Sequence, residues 1–253
     1  MGRRILVTAL LLVVAGCTSA RSLREAQDAF SRAAEQENAA FHRGYPTDVV
    51  DLAANPEAGY RLSLALVSRE LAENEEALRS DRLYGTALML KAYCLWRLGG
   101  AAGDESLDAV LGRVAAEREA IVLGERDAVM LEALPGLRDH ELGLRAATYD
   151  EARRHFESAL DVVDTAAGGL PAGSSLAVYL RLAMLSTCRA WQFAAYSFHA
   201  DDLAKAKLEA QAPRAEAKRL FETLKPLEGG DAGLREAIAL LRVRLGVLDI
   251  PPP

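Results

Sequence analysis

From residue 23 onward apolar positions recur every three or four residues, so the chain reads as a series of helices with short breaks. Leu23, Ala26, Phe30 and Ala33 follow that spacing and give a stripe of small residues around one aromatic. Tyr45-Pro46-Thr47-Asp48 and Asn55-Pro56 bracket a short helical turn, and residues 57–78 carry Leu62, Leu66 and Leu71 on an interrupted apolar face. Ser80-Asp81 stands where a cap would open a helix to Leu98, which Gly99-Gly100 would stop. Asp104-Glu105-Ser106 reopens helix as far as residue 122, Glu125 to Leu134 form another, and Pro135 suits the first turn of the next, ending near Ala147. Helices over Tyr149–Thr165, Ser174 or Ser175 to Phe198, Asp201–Leu224 with a break near Pro213, and Asp231–Val247 complete the set. The connection 166–175 (AAGGLPAGSS) is the expected hinge between two halves of a helical domain over 23–248, and the proline-rich tail 249–253 cannot continue a helix. No segment alternates with period two over strand length.

The composition agrees: 51% of the chain is apolar, largely Ala and Leu, while aromatic residues are only 6% and β-branched ones sparse. Summed over windows, that favours helix over strand. The fold class is all-α.

Three of these helices share an Ala-x-x-x-Phe-x-x-Ala/Leu register: Ala26/Phe30/Ala33, Ala152/Phe156/Ala159 and Ala217/Phe221/Leu224. Thr148-Tyr149-Asp150-Glu151 precedes the middle copy, and residues 88–99 (LMLKAYCLWRLG) end on Leu-Gly. The pattern resembles the tetratricopeptide repeat, in which an alanine lets the neighbouring helix approach and an aromatic fills the groove between successive pairs. The resemblance implies antiparallel helix pairs stacked as a right-handed superhelix. The copies stand 126 and 65 residues apart, neither a multiple of the 34-residue period, so an irregular helical bundle remains the other arrangement.

The chain begins differently. Arg3 and Arg4 precede a run from Ile5 to Val14 that is apolar apart from Thr8, and Val14-Ala15-Gly16-Cys17 closes it. A basic start, a short apolar core and small residues describe a secretory signal, too short for a spanning helix. With cysteine directly after Ala-Gly, residues 1–16 resemble a bacterial lipoprotein signal. The resemblance implies cleavage between Gly16 and Cys17, three acyl chains on Cys17, and a membrane hold that is in effect permanent. By the sorting rule of the family it resembles, Thr18 after the cysteine, in place of aspartate, implies the outer membrane facing the periplasm. The tether, residues 17–22, is short: Thr18 to Ser22 extend about 17 Å at roughly 3.4 Å per residue. The folded body then stays near the bilayer, and its partners are membrane-embedded or membrane-proximal.

Losing Arg3 and Arg4 with the leader takes the formal charge from −6 to −8. That balance argues against nucleic acid or anionic headgroups as the main ligand. Besides Cys17 the chain has only Cys94 and Cys188, both in apolar contexts. An oxidising compartment would permit a bond between them, but two separate buried thiols are the expected state.

Little points to catalysis. His42, His140, His155 and His199 are the only histidines. Asp139-His140-Glu141 lacks the second histidine of a His-Glu-x-x-His site and reads as surface, while His155 reads as a packed helix edge. No nucleophile elbow, phosphate loop or dinucleotide fingerprint occurs, and Gly-Gly pairs follow helices, where glycine caps. We expect no enzyme activity, cofactor or metal. Tyr179, Trp191, Phe193, Tyr196 and Phe198 gather on one helix, either as its core stripe or as the lining of an apolar groove. The basic run Lys205, Lys207, Arg214, Lys218, Arg219 and Lys225, interleaved with glutamates, reads as a solvated face. The expected function is a lipid-anchored, non-catalytic scaffold for an envelope protein; the alternative is a solute-binding accessory subunit of an uptake system.

Overall fold

The computed structural model describes residues 20–36 and 55–227. It is all-α: helices carry most of the described chain, and the one sheet among the described residues is a pair of two-residue strands. Two compact units divide at Asp127/Ala128. The expected hinge at 166–175 lies instead inside the second unit, joining two helices that pack on each other.

The first unit holds α1 (20–36), α2 (Pro56–Glu73), α3 (Glu75–Ser80), α4 (Tyr84–Arg97), β1 (Ala101–Ala102), β2 (Glu105–Ser106) and α5 (Leu107–Ala116). Asn55 opens α2, its side-chain oxygen accepting from the Ala58 N–H at 3.1 Å, and Pro56 occupies the first helical position, where a missing N–H costs nothing. Ser80-Asp81 closes α3 rather than capping α4, and Arg82 takes a left-handed φ of 59° between the two helices. At the other end of α4 the glycine stop works as expected. Gly99 sits at φ 90°, and the Gly100 N–H reaches back to the Leu95 carbonyl at 2.8 Å, which satisfies an otherwise orphaned acceptor. Ser106 then caps α5 by accepting from the Ala109 N–H at 3.2 Å.

Helix α4 is buried on almost every side, including Ala87, Leu88, Met89, Ala92, Cys94 and Leu95, so it forms the centre of this unit. Helices α1 and α2 run antiparallel and close: a Cβ on Gly59 would meet that of Ala33 at 2.8 Å, and Phe30 packs on Tyr60 with ring centroids 5.2 Å apart. The Ser63 hydroxyl donates to the Ala26 carbonyl at 2.8 Å and accepts from the Cys94 thiol at 3.2 Å, linking α1, α2 and α4 by one buried group.

The second unit holds most of α6 (Glu125–Arg145), then α7 (Tyr149–Gly168), α8 (Ser175–Phe198), α9 (Leu203–Glu209) and α10 (Gln211–Leu224). The two helices expected around Pro135 are one. Met130, Ala133, Leu134 and Leu137 are buried on both sides of the proline, and a continuous apolar face outweighs its missing N–H. Helix α7 runs back along α6: Gly136 lies against Val162 and Gly143 against the Phe156 ring. Thr148 caps α7 and Ser174 caps α8, each accepting from the N–H three residues on. The expected helix over 201–224 is broken at Ala210, before Pro213 rather than at it, because proline fits the first turn of α10.

Residues 26, 33, 152, 156, 159, 217 and 224 of the shared register are buried, and Phe30 and Phe221 are half-buried. The expected helices around 47–55 and 231–247 fall mainly or wholly outside the described residues.

Candidate functional site

Gly16 and Cys17, the expected cleavage and lipidation residues, lie outside the described residues. The other expected site residues all stand on α8, and the helix separates them. Its period puts Trp191 and Phe193 on opposite faces, and their exposures, 5% and 72%, follow. Tyr179 (42% exposed) lies near the start of α8 and belongs with Phe193 on the outer side. The four do not line one groove, and the core stripe holds only Trp191 among them.

Trp191 leads instead to a polar junction of α7, α8, α9 and α10. Its indole N–H donates to the Tyr149 hydroxyl at 3.1 Å, and Tyr149 stacks edge-on against His199 with centroids 4.8 Å apart. The Glu209 carboxylate neighbours the same hydroxyl and lies 3.9 Å from the Arg153 guanidinium. Burial pushes the Tyr149 phenol up to about 12, the indole N–H bond opposing that shift and Glu209 adding to it. Gln192, Tyr196 and His199 follow at i, i+4 and i+7 on the adjoining face of α8. Arg214 of α10 donates to the Tyr196 hydroxyl at 2.8 Å. This corrects the reading of Arg214 as part of a solvated face: its Nε is buried and meets no acceptor. Gln192 Nε2 and His199 Nε2 are also buried without partners. Aromatic or histidine pattern marks only Trp191, Tyr196 and His199 of this junction; Tyr149 and Arg153 come from α7 and Glu209 from α9, while Gln192 stands on α8 itself without a motif to mark it.

Asp139-His140-Glu141 is likewise more than surface. Asp139 accepts from the Ser158 hydroxyl at 2.6 Å and lies 3.4 Å from His155 Nδ1, while His140 Nδ1 meets the Thr187 hydroxyl at 3.0 Å. A serine, an aspartate and a histidine thus meet, but the carboxylate stands between the other two. Nucleophilic catalysis needs the imidazole between hydroxyl and carboxylate, so that the ring takes the serine proton. Here the cluster ties α6 to α7.

In the first unit Glu75, Arg79, Glu117 and Arg113 close a ring of alternating charge. Arg79 pairs with Glu75 at 2.8 Å and with Glu117; Arg113 pairs with Glu117 at 3.1 Å and Glu75 at 2.9 Å. The ring lies over Tyr84, with the Arg79 guanidinium 3.7 Å from its centroid. Hydrogen bonds from Arg79, and then from Arg113, hold both carboxyls below the usual range against the opposing effect of burial. Separately, Lys91 meets Glu105 at 2.5 Å, and Glu105 accepts from Ser68, so β2 is pinned to α4 and α2.

Cys94 and Cys188 are free and buried, one in each unit. Burial pushes both thiols up, Cys94 to about 12, so neither is a ready nucleophile. Among the described residues no three His, Cys, Asp or Glu side chains gather as a metal site would require, and no helix is long and apolar enough to cross a membrane. Comparison with protein-family models, curated proteins and solved structures gives no match.

Proposed function

We propose that the protein is a lipoprotein whose helical body, held near a bacterial envelope membrane by acylated Cys17, serves as a non-catalytic docking scaffold for another envelope protein. The observation that carries this reading is the Val14-Ala15-Gly16-Cys17 box behind a basic, apolar leader, with helix already present at residue 20. With helix from residue 20 rather than 23, the body starts within about 10 Å of the acylated residue at roughly 3.4 Å per residue. Antiparallel helix pairs packed through alanine and glycine offer broad side surfaces, and stacks of such pairs commonly present them to protein segments. The destination we propose is the outer membrane, facing the periplasm.

A photocrosslinker at Phe193, in the acylated protein in cells, tests the reading. The expected product is a discrete adduct with an envelope polypeptide, absent when the probe replaces buried Leu185. Recovery of one small solute and no polypeptide would reverse it. One observation favours the second reading, an accessory subunit that binds a solute: the unpartnered donors at the α8–α10 junction.

A further inference from the structure

We propose that the junction of α7, α8, α9 and α10 binds a compact oxyanion, the carboxylate or phosphate of a small molecule, through Gln192, His199 and Arg214. The inference concerns the second unit alone and holds whether or not Cys17 is acylated. Three observations carry it.

Gln192 is only 5% exposed, yet its Nε2 has no acceptor. A buried N–H left without an acceptor loses its hydration with nothing in return, so a side chain held in this state calls for something to complete it. His199 Nε2 and Arg214 Nε repeat the deficit at the same end of α8. Gln192, Tyr196 and His199 share one helix face, and the Arg214 guanidinium reaches the middle of that face at Tyr196. With Arg153 Nε, the junction's four buried nitrogens without partners are all donors or able to donate: the amide and the guanidinium groups only donate there, and the imidazole donates when Nε2 carries the ring proton.

The nature of the missing acceptor follows from charge. Arg153, whose Nε is likewise buried without a hydrogen bond, has two carboxylates as charge partners, Glu157 at 3.6 Å and Glu209 at 3.9 Å. Arg214 has no carboxylate partner among the described residues; its hydrogen bond goes to the neutral Tyr196 hydroxyl. Water would satisfy the N–H groups and leave the partly buried cation uncompensated, whereas an oxyanion satisfies both needs. Planar guanidinium with amide and imidazole donors suits the several oxygens of carboxylate or phosphate. Glu209 is the opposing group. It neighbours the Tyr149 hydroxyl and lies 3.9 Å from Arg153, so its negative charge would oppose an anion bound at the junction.

Titration calorimetry on the full chain, with inorganic phosphate and separately acetate at constant ionic strength, tests the proposal. Saturable binding of one or both is expected, and which one binds identifies the chemistry. Arg214→Gln and Gln192→Leu should each weaken it about tenfold or more, with helicity by circular dichroism retained. Glu209→Gln should tighten it, which a merely structural role for the junction would not produce. Absence of saturable binding in the parent protein, or equal binding by parent and Arg214→Gln, would overturn the proposal; water then fills the site.

Discussion

Tyr149 is the residue on which the second unit's polar junction turns. Its hydroxyl accepts from Trp191 and neighbours Glu209, while its ring covers His199. Tyr149→Phe removes the acceptor of a buried indole N–H and should destabilise the unit by about 1–3 kcal/mol in urea unfolding. Its titration gives a second expectation. The folded phenol loses its proton near 12 because burial disfavours the anion, whereas the unfolded chain's tyrosine does so about two pH units lower. The raised folded value means the contribution is whole below pH 10 or so, then falls as pH rises through 12. Unfolding midpoints measured across that window should drop more steeply in the parent than in Tyr149→Phe. The buried thiols add a kinetic expectation: Cys94 and Cys188 should react with a thiol reagent only as the protein unfolds.

At the level of elements, glycine shows how tightly the helices meet. A Cβ on Gly143 would fall 2.5 Å from the Phe156 ring, so Gly143→Ala should cost about 1–3 kcal/mol by overpacking. Gly112, exposed within α5 with nothing within 4 Å, should respond oppositely: Gly112→Ala is expected to stabilise by about 0.5–1 kcal/mol. The same exchange with opposite signs, read by denaturant midpoints, checks the α6–α7 contact against simple helix propensity. The charge ring over Tyr84 ties α3 to α5 in a different way. Glu75 and Glu117 have lowered folded values, so their contribution is present above the ordinary carboxylate range and is lost as pH falls through the folded ones. Glu117→Gln should cost about 0.5–1 kcal/mol at neutral pH and low salt, shrinking at high salt.

Much of this architecture was legible along the chain, because capping is local. Ser174 before α8, Thr148 before α7 and Gly99-Gly100 after α4 act where their positions indicate. Pro135 misled because tertiary burial on both sides holds α6 together, and that depends on residues of other helices. The junction at Gln192 and Arg214 was hidden for the same reason. Neither residue belongs to a motif, and only the return of α10 along α8 brings a guanidinium to Tyr196. The aromatic stripe of α8 could be counted but not divided, since its inward and outward faces depend on what packs there.

For the whole molecule, two helical units each have their own buried interior, and the all-α character is common to both. The proposed role adds a membrane anchor at one terminus and a polypeptide partner at the helical surface. Acylation supplies the first by burying hydrocarbon, about 0.8 kcal/mol for each methylene, and more than one chain makes the hold lasting. On that proposal, a body held near the membrane would meet envelope partners at a raised effective concentration, so affinity need not be high. Removing the anchor should therefore weaken partner capture at Phe193 without altering helicity, which a comparison of crosslinking yield and circular dichroism reads directly.

Everything in that role rests on lipid at Cys17. Metabolic labelling with a fatty-acid probe, followed by membrane fractionation of the parent and Cys17→Ser, tests it most directly. The expected result is a labelled, membrane-bound parent and an unlabelled variant released from the membrane. An unlabelled parent that fractionates like Cys17→Ser would contradict it.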